Sequence, residues 1–446
     1  MPKHTKIAGF VFLCLTILAA PAVVLYAEGK NQADALPIRV RLLLTKVNPM
    51  LQDENYQKAA EILEAFKAKG ADSDARQDYH HPEIFFTLGN CYLMLEKHEQ
   101  AAAAYRSAVK RAPEHTGAWL NLGRTAYELN RLSEAGRCFF RAYETADKKK
   151  PAHLYYSALA HLMADEYGRS LERFDRLLRA HPQAIKPEWK ENLVHALLAA
   201  DKPRRALIYI RELADFYTGE KKRQWQEVLL HQYIQLEMKD AALKLARSLT
   251  RQAPEIEKWW KALANIHLNE GRYEKALAAL LTYSYLTPLN EREKKLIADL
   301  SLELGIPVKA APIYEACLKN DPDKNLLRRL ALAYRKLGQP EKALERIKAF
   351  ESHSGNTERD TDLMLISAEI YYALEQYEKA AESYRQAAQK KGAHSGRAWL
   401  MAGYAAWQVD DFAASRKAFD RAAGYKEQKK AAHKALKELQ AMMDKK

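Results

Sequence analysis

The chain has 446 residues, 48% of them apolar and 29% charged, with a formal net charge of +14. Its 17 Gly and 16 Pro, spread without any low-complexity tract, exclude a disordered or collagen-like chain. A globular chain of this length divides into several cores, whereas stacked repeats need no central one, because each unit packs only against its neighbours.

At the N-terminus, Lys3 and Lys6 precede Ile7 to Ala27, an uncharged stretch of 21 residues with small residues at Ala20, Pro21, Ala22 and Ala27. Residues 1–27 read as a signal peptide or an N-terminal membrane anchor: Ile7 to Ala20 suits a signal core, and the full stretch just reaches the length of a bilayer span. In either case the two lysines hold that end in the cytoplasm and place residues 28–446 outside it. Cys14 follows Leu13, not the small residue that precedes a lipidated cysteine, so no lipoprotein is expected.

Beyond this segment the chain repeats itself about every 34 residues. A partial first copy carries Tyr56, Ala59, Leu63 and Phe66. The copy from Pro82 places Phe85, Leu88, Gly89 and Tyr92 ahead of Ala101, Tyr105, Ala108 and Pro113, and the copy from Thr116 repeats the offsets with Trp119, Leu122, Gly123, Ala135, Phe139 and Ala142. From Pro151 to Pro254 the signal weakens to Ala158, Ser170, Phe174 and Pro182, then Leu193 and Ala206, then Leu229, Tyr233 and Ala242, which still make three copies. It recovers with Trp260, Leu263, Ala264, Gly271 and Ala276, with Ile297, Ala298, Gly305, Ala310 and Tyr314, and with Leu330, Ala331, Tyr334, Gly338 and Ala343. Ala368, Tyr371, Ala380 and Tyr384 make another copy, and Trp399, Gly403, Ser415 and Phe419 the last.

Trp119, Leu122, Gly123 and Ala126 fall on one helical face, and Ala135, Phe139 and Ala142 on a second after a short break, so each copy is predicted to be a helical hairpin. Gly89, Gly123, Ala264 and Gly403 are expected to let a bulky ring from the second helix approach the first. The pattern resembles that of tetratricopeptide (TPR) repeats, W-x2-LG-x2-Y followed by A-x3-F-x2-A and P. That resemblance implies an all-α TPR superhelical solenoid of about eleven helix-turn-helix repeats over residues 28–446, clearest over 82–150 and 257–424. A last helix, Gln428 to Met443, has Ala432, Leu436, Leu439 and Met443 on one stripe, as a C-terminal capping helix would. Breaks at Lys69 to His81, Asp147 to Pro151, Phe216 to Lys222 and Glu351 to Asp360 read as loops inside one array.

No enzyme is expected, and neither a cofactor nor a metal. Cys91, Cys138 and Cys317 are an odd, scattered set at positions that TPR packing buries. His98-Glu99 opens like a zinc-protease helix, but Ala102 takes the place of the second histidine; His80 and His81 read as solvated loop residues. His153 and His161 stand too far apart on one helix to share a metal, and no Gly-rich phosphate loop occurs. The basic balance invites nucleic acid, but an exported chain meets little of it, so no nucleic acid is expected; acidic segments or anionic head groups suit the charge better.

What the TPR resemblance implies is a partner peptide or helix bound on a concave face lined by first helices. Asn90, Arg124, Tyr127, Lys258, Lys261, Asn265, Arg328, Arg335, Tyr404 and Trp407 stand at those positions, where an ordinary solvated helix face is the plain alternative. The carboxylate clamp of some TPR domains is incomplete: Lys261 and Asn265 match its first pair, but Leu296 replaces the next Asn, and beside Asn90 and Asn121 the clamp lysine is Phe86.

Residues 259–319, with "IADLSLELGIPVKAAPIYEACLK" from Ile297 to Lys319, are similar to exported TPR proteins that accompany TonB, ExbB and ExbD systems of Gram-negative bacteria. There a "gIPyKAA" turn follows a "LadLyl" helix, and here Val308 replaces the aromatic residue. This resemblance implies a periplasmic adaptor or scaffold for protein partners of a cell-envelope complex, anchored in the inner membrane or released from it, of TonB-dependent transport type. The alternative is a scaffold for export or assembly of a surface polysaccharide or another envelope polymer. Gly305 and Pro307 also have a local role, ending one helix in a left-handed turn and starting the next.

Overall fold

The computed structural model describes residues 36–70, 76–320, 323–353, 360–390, 392 and 394–444. The N-terminal segment, with Lys3, Lys6 and Ile7 to Ala27, lies outside them. Among the described residues no helix is long and apolar enough to cross a membrane. The chain divides into two compact units, Met1–Leu236 and Glu237–Lys446.

In the first unit α1 (Ile38–Gln52) pairs with α2 (Tyr56–Ala68), and a single turn, α3 (Arg76–Tyr79), follows. Then come α4 (Pro82–Met94) with α5 (His98–Arg111), α6 (Thr116–Glu128) with α7 (Leu132–Thr145), α8 (Pro151–Met163) with α9 (Tyr167–Ala180), and α10 (Pro187–Ala199) with α11 (Pro203–Phe216). A short 3-10 turn, Pro182–Ala184, precedes α10, and α12 (Gly219–Gln235) closes the unit. The second unit opens on α13 (Lys239–Gln252) and continues with α14 (Glu257–Asn269) and α15 (Tyr273–Leu286), then α16 (Glu291–Glu303) and α17 (Pro307–Asn320). Next are α18 (Lys324–Lys336) with α19 (Pro340–His353), α20 (Thr361–Ala373) with α21 (Tyr377–Gln389), and α22 (Ser395–Gln408) with α23 (Phe412–Ala423), before the last helix α24 (Lys429–Met443).

Prolines begin several of these helices, at Pro82, Pro151, Pro187, Pro203, Pro307 and Pro340, where the missing N–H is not needed. Each first helix ends in the same corner. In α4 the Lys97 N–H donates to the Tyr92 carbonyl at 2.8 Å and Glu96 N–H to Leu93 at 3.0 Å, while Glu96 takes φ +57°. The corner recurs at Glu54, Asn130, Asp165, Asp201, Glu237, Glu375 and Asp410 and, with glycine, at Gly271, Gly305 and Gly338. Eight non-glycine corners and three glycine corners make eleven among the described residues, the number of repeats expected. Glu96 is exposed and strained in this conformation, so Glu96→Gly is expected to raise stability by about 0.5 kcal/mol, the strain relieved less the extra freedom of the unfolded chain. Gly305→Val should lower it by roughly 1–2 kcal/mol. Urea midpoints that move together, or in the opposite sense, would contradict this account of the corner.

Between the two helices of a hairpin lies a seam of small residues against rings. A Cβ placed on Gly89 would fall 2.5 Å from Tyr105 Cε1, one on Gly123 2.9 Å from Phe139 Cδ1, and one on Gly403 2.4 Å from Phe419 Cε1. Ala264 differs from the expectation, because the matching place on α15 is held by buried Leu280, an aliphatic side chain and not a ring. Cys91, Cys138 and Cys317 are buried, as expected; burial pushes the thiols of Cys91 and Cys138 up to about 12, so they stay protonated and inert.

Three expectations are corrected. The partial first copy is a full hairpin, since Val40, Leu43 and Val47 of α1 pack into the same core as Ala59 and Leu63 of α2. The break expected over Phe216 to Lys222 is only Tyr217 and Thr218, with α12 starting at Gly219. In α14 Trp260 keeps the repeat position of Trp119 as expected, half-buried and donating Nε1–H to the Pro254 carbonyl at 2.8 Å, and the neighbouring Trp259 is buried. His81 is no free loop residue: half-buried, it accepts the Glu83 N–H at Nδ1 (3.3 Å) and caps α4, and burial holds its pKa below the ordinary value.

Candidate functional site

The predicted binding residues fall on first helices, and the structure shows what each is doing there. In the first unit Asn90 is 1% exposed and cannot line an accessible face. Its Oδ1 accepts the Tyr105 hydroxyl at 2.7 Å and the Asn121 amide at 2.8 Å, joining α4, α5 and α6 inside the core. A buried amide needs such partners, so both asparagines of the would-be clamp are consumed by structure. Arg124 and Tyr127 on α6 are half-buried and border that face.

In the second unit the cations of the face are held by acids one repeat later. Lys261 on α14 donates Nζ to Glu293 of α16 at 2.7 Å. Arg328 on α18 reaches Asp360 at 2.7 Å and Asp362 at 2.8 Å, and Arg335 reaches Glu369 of α20 at 2.7 Å. The hydrogen bond to Glu293 raises the Lys261 pKa. Burial pushes the Asp360 carboxyl up, but Arg328 and the backbone N–H groups of Leu363 and Asp362 outweigh it and hold it below its ordinary value. Lys258 lies over the Trp259 ring at 4.9 Å, Asn265 is exposed, and the rings of Tyr404 and Trp407 pack edge-on against Phe419. The structure therefore brings Lys261, Arg328 and Arg335 into a ladder of ion pairs linking successive first helices. Of these, Arg335 with Glu369 is an exposed pair, of the kind that contributes roughly 0–1 kcal/mol, whereas Glu293 and Asp360 are mostly buried. A partner carboxylate that displaces Glu369 gives up little.

Sequence reading missed a second surface, on second helices of the first unit. Arg106 and Lys110 of α5, Arg137 and Arg141 of α7 and Arg173 of α9 surround a cleft of about 550 Å³. They recur at nearly the repeat period, which is the signal that would have found them. The ion-pair ladder has the same mark: each acid stands about one period after its cation.

His161 Nδ1 lies 2.6 Å from Glu166 Oε2, but Ser133 donates its hydroxyl to Glu166 and not to the histidine, so this pair holds no serine against its base. Among the described residues no group of three His, Cys, Asp or Glu is arranged to hold a metal ion.

A tetratricopeptide repeat family model matches residues 51–114, 86–153, 233–290, 328–398 and 367–432, more than half of the chain. No curated protein matches it. The chain is similar to solved structures at low identity. One is a structure of Naa15/Naa10 bound to HypK-THB, 13% identical with a TM-score of 0.34, the match covering 90% of this chain and 79% of that one. Another is a tetratricopeptide repeat protein from Parabacteroides merdae, 13% identical, TM-score 0.30, covering 66% of this chain and 98% of that one. Yeast Tom70 is 12% identical, TM-score 0.31, with 91% of this chain and 96% of that one covered. Since the family model matches more than half of the chain, and the left-handed corner recurs in every matched stretch, the chain belongs to the tetratricopeptide repeat family.

Proposed function

We propose that this TPR chain is a non-enzymatic adaptor of the cell envelope, exported to the periplasm or anchored in the inner membrane, that holds protein partners of a TonB, ExbB and ExbD type complex. TPR repeats are scaffolds for protein–protein interaction, and the ion-pair ladder on the first helices of the second unit carries the reading of how. Lys261, Arg328 and Arg335 are already oriented by Glu293, Asp360 and Glu369 toward carboxylates, and the exposed Glu369 is the partner most readily exchanged. The compartment is supported by Lys3, Lys6 and the uncharged run after them, and the TonB association by the similarity of residues 259–319. Gly305 and Pro307, which carry part of that similarity, form the α16–α17 corner, while Val308 is 64% exposed and open to contact.

Two measurements test this. A reporter active only outside the cytoplasm, fused to the C-terminus, should be active; an intact but silent reporter overturns the compartment. Co-purification of ExbB, ExbD and TonB components should fall when Lys261, Asn265 and Arg328 are changed together to Ala, with circular dichroism little altered because none of the three is buried. Wild-type recovery by the triple variant would place the contact elsewhere.

A further inference from the structure

The cleft between α5, α7 and α9 has a chemistry of its own. Its floor is apolar, built from Val109, Leu122 and Cys138, with Trp119 and Phe140 as walls. Its rim is cationic and mostly guanidinium. Arg173 lies over the Phe140 ring at 3.4 Å and Arg176 over the same ring at 4.9 Å, so stacking holds two planar cations at one edge. Arg106 makes a two-point pair with Glu134, at 2.7 and 2.8 Å, which fixes its plane at another. Arg141 is tied to Glu144 at 3.0 Å, and Arg173 to Glu172 at 2.7 Å. Lys110 and Arg137 complete the rim; both are exposed, and Arg137 donates to the Ser133 hydroxyl at 3.1 Å. Five cations face two carboxylates around the cleft, an excess of three positive charges.

We propose that this cleft binds an acidic peptide segment, seating one apolar side chain on the floor while flanking Asp or Glu side chains meet the guanidinium rim. The volume suits one or two large side chains and a short stretch of backbone. Charge complementarity selects an acidic occupant, and arginine, with its fixed fork of donors, suits carboxylates better than lysine would. Glu134 and Glu144 interrupt the row of cations, so a nucleic-acid backbone, with a charge at every step, would meet a carboxylate, whereas a peptide can space its charges to miss them. A flat bilayer surface cannot reach a floor recessed between helices. This surface lies in the first unit, apart from Lys261, Asn265 and Arg328, so its failure and that of the adaptor reading are separable.

The test uses the full-length protein in mild detergent and fluorescence anisotropy with a glutamate-rich peptide carrying one central phenylalanine. The peptide should bind, and the same peptide with lysine for glutamate should not. Lys110→Glu with Arg137→Glu should weaken binding roughly tenfold or more, and the glutamine pair of variants should weaken it less. Both positions are exposed, and thermal melts should confirm that the fold is kept. Lys429→Glu with Lys430→Glu, which changes net charge equally on α24, should leave binding as it was. The proposal is overturned if the lysine peptide binds as well, if the Lys110 and Arg137 variants bind like the wild type, or if the α24 pair loses as much. It also fails if flotation shows that Lys110 and Arg137 drive capture of phosphatidylglycerol vesicles while the acidic peptide does not bind.

Discussion

Gly89→Leu is expected to destabilise the first unit by roughly 3 kcal/mol, among the largest effects of any single substitution in this chain. The Cβ alone would sit 2.5, 2.7 and 2.9 Å from Cε1, Cδ1 and Cζ of Tyr105, and that ring is fully buried, with no room to retreat. Pushing it aside also breaks the Tyr105 hydroxyl bond to Asn90, the acceptor shared with Asn121, and leaves polar groups unpaired in the core. The helix propensity gained by replacing glycine, about 1 kcal/mol, offsets only part of this. Gly168→Ala in α9 is the control: nothing lies within 4 Å of its Cβ position, so the propensity term acts alone and stability should rise slightly. In a repeat array the damage is local. Hydrogen exchange should show α4 to α7 losing protection first, and an even loss across the unit would argue against nearest-neighbour packing.

The features legible in the sequence are those set by sterics between two helices of one hairpin. Gly123 against Phe139 and the Gly305 corner follow from backbone approach and φ alone, which is why a residue pattern announces them. Helix α1 escaped because its buried Val40, Leu43 and Val47 have the right spacing but neither a small seam residue nor a ring. Trp260 stands at the repeat position that the offsets assign it: its indole N–H needs an acceptor, finds the Pro254 carbonyl at the helix edge, and leaves the core beside it to Trp259. Trp119 makes the same bond to Pro113 in the first unit. For the candidate cations, the helix that carries each was legible and the pairing was not. Lys261, Arg328 and Arg335 stand on exposed or half-buried stretches of first helices, but which acid meets each depends on how one repeat is set against the next. The third weak copy shows another limit, since its two helices, α12 and α13, fall in different compact units, a division no repeat pattern marks.

Acidification from pH 7 to pH 5 is expected to cost the first unit roughly 2 kcal/mol through His153 alone. Its side chain is buried on α8, and burial first, then the charge of Lys150, pushes its pKa down to about 4 against an ordinary 6.5, with a hydrogen bond involving the Ala142 backbone opposing the shift. The folded protein thus keeps the imidazole neutral over a range in which the unfolded chain takes up a proton. Stability from this group is fully present above pH 6.5 and is lost as the pH falls toward about 4. His161 and His267, also buried and lowered chiefly by desolvation, act in the same direction, and His161 does so despite Glu166 at 2.6 Å. The carboxylates of the ion pairs work lower on the scale: Glu134, held below its ordinary 4.5 by Arg106, gives up its contribution only as the pH drops past that value. The interval from pH 7 to pH 5 therefore isolates the histidines. Urea melts at the two pH values should show the midpoint falling for the wild type, and falling much less for His153→Leu, which has no proton to take up at that site. Equal pH dependence in the two proteins would show that His153 is not the group that senses acid.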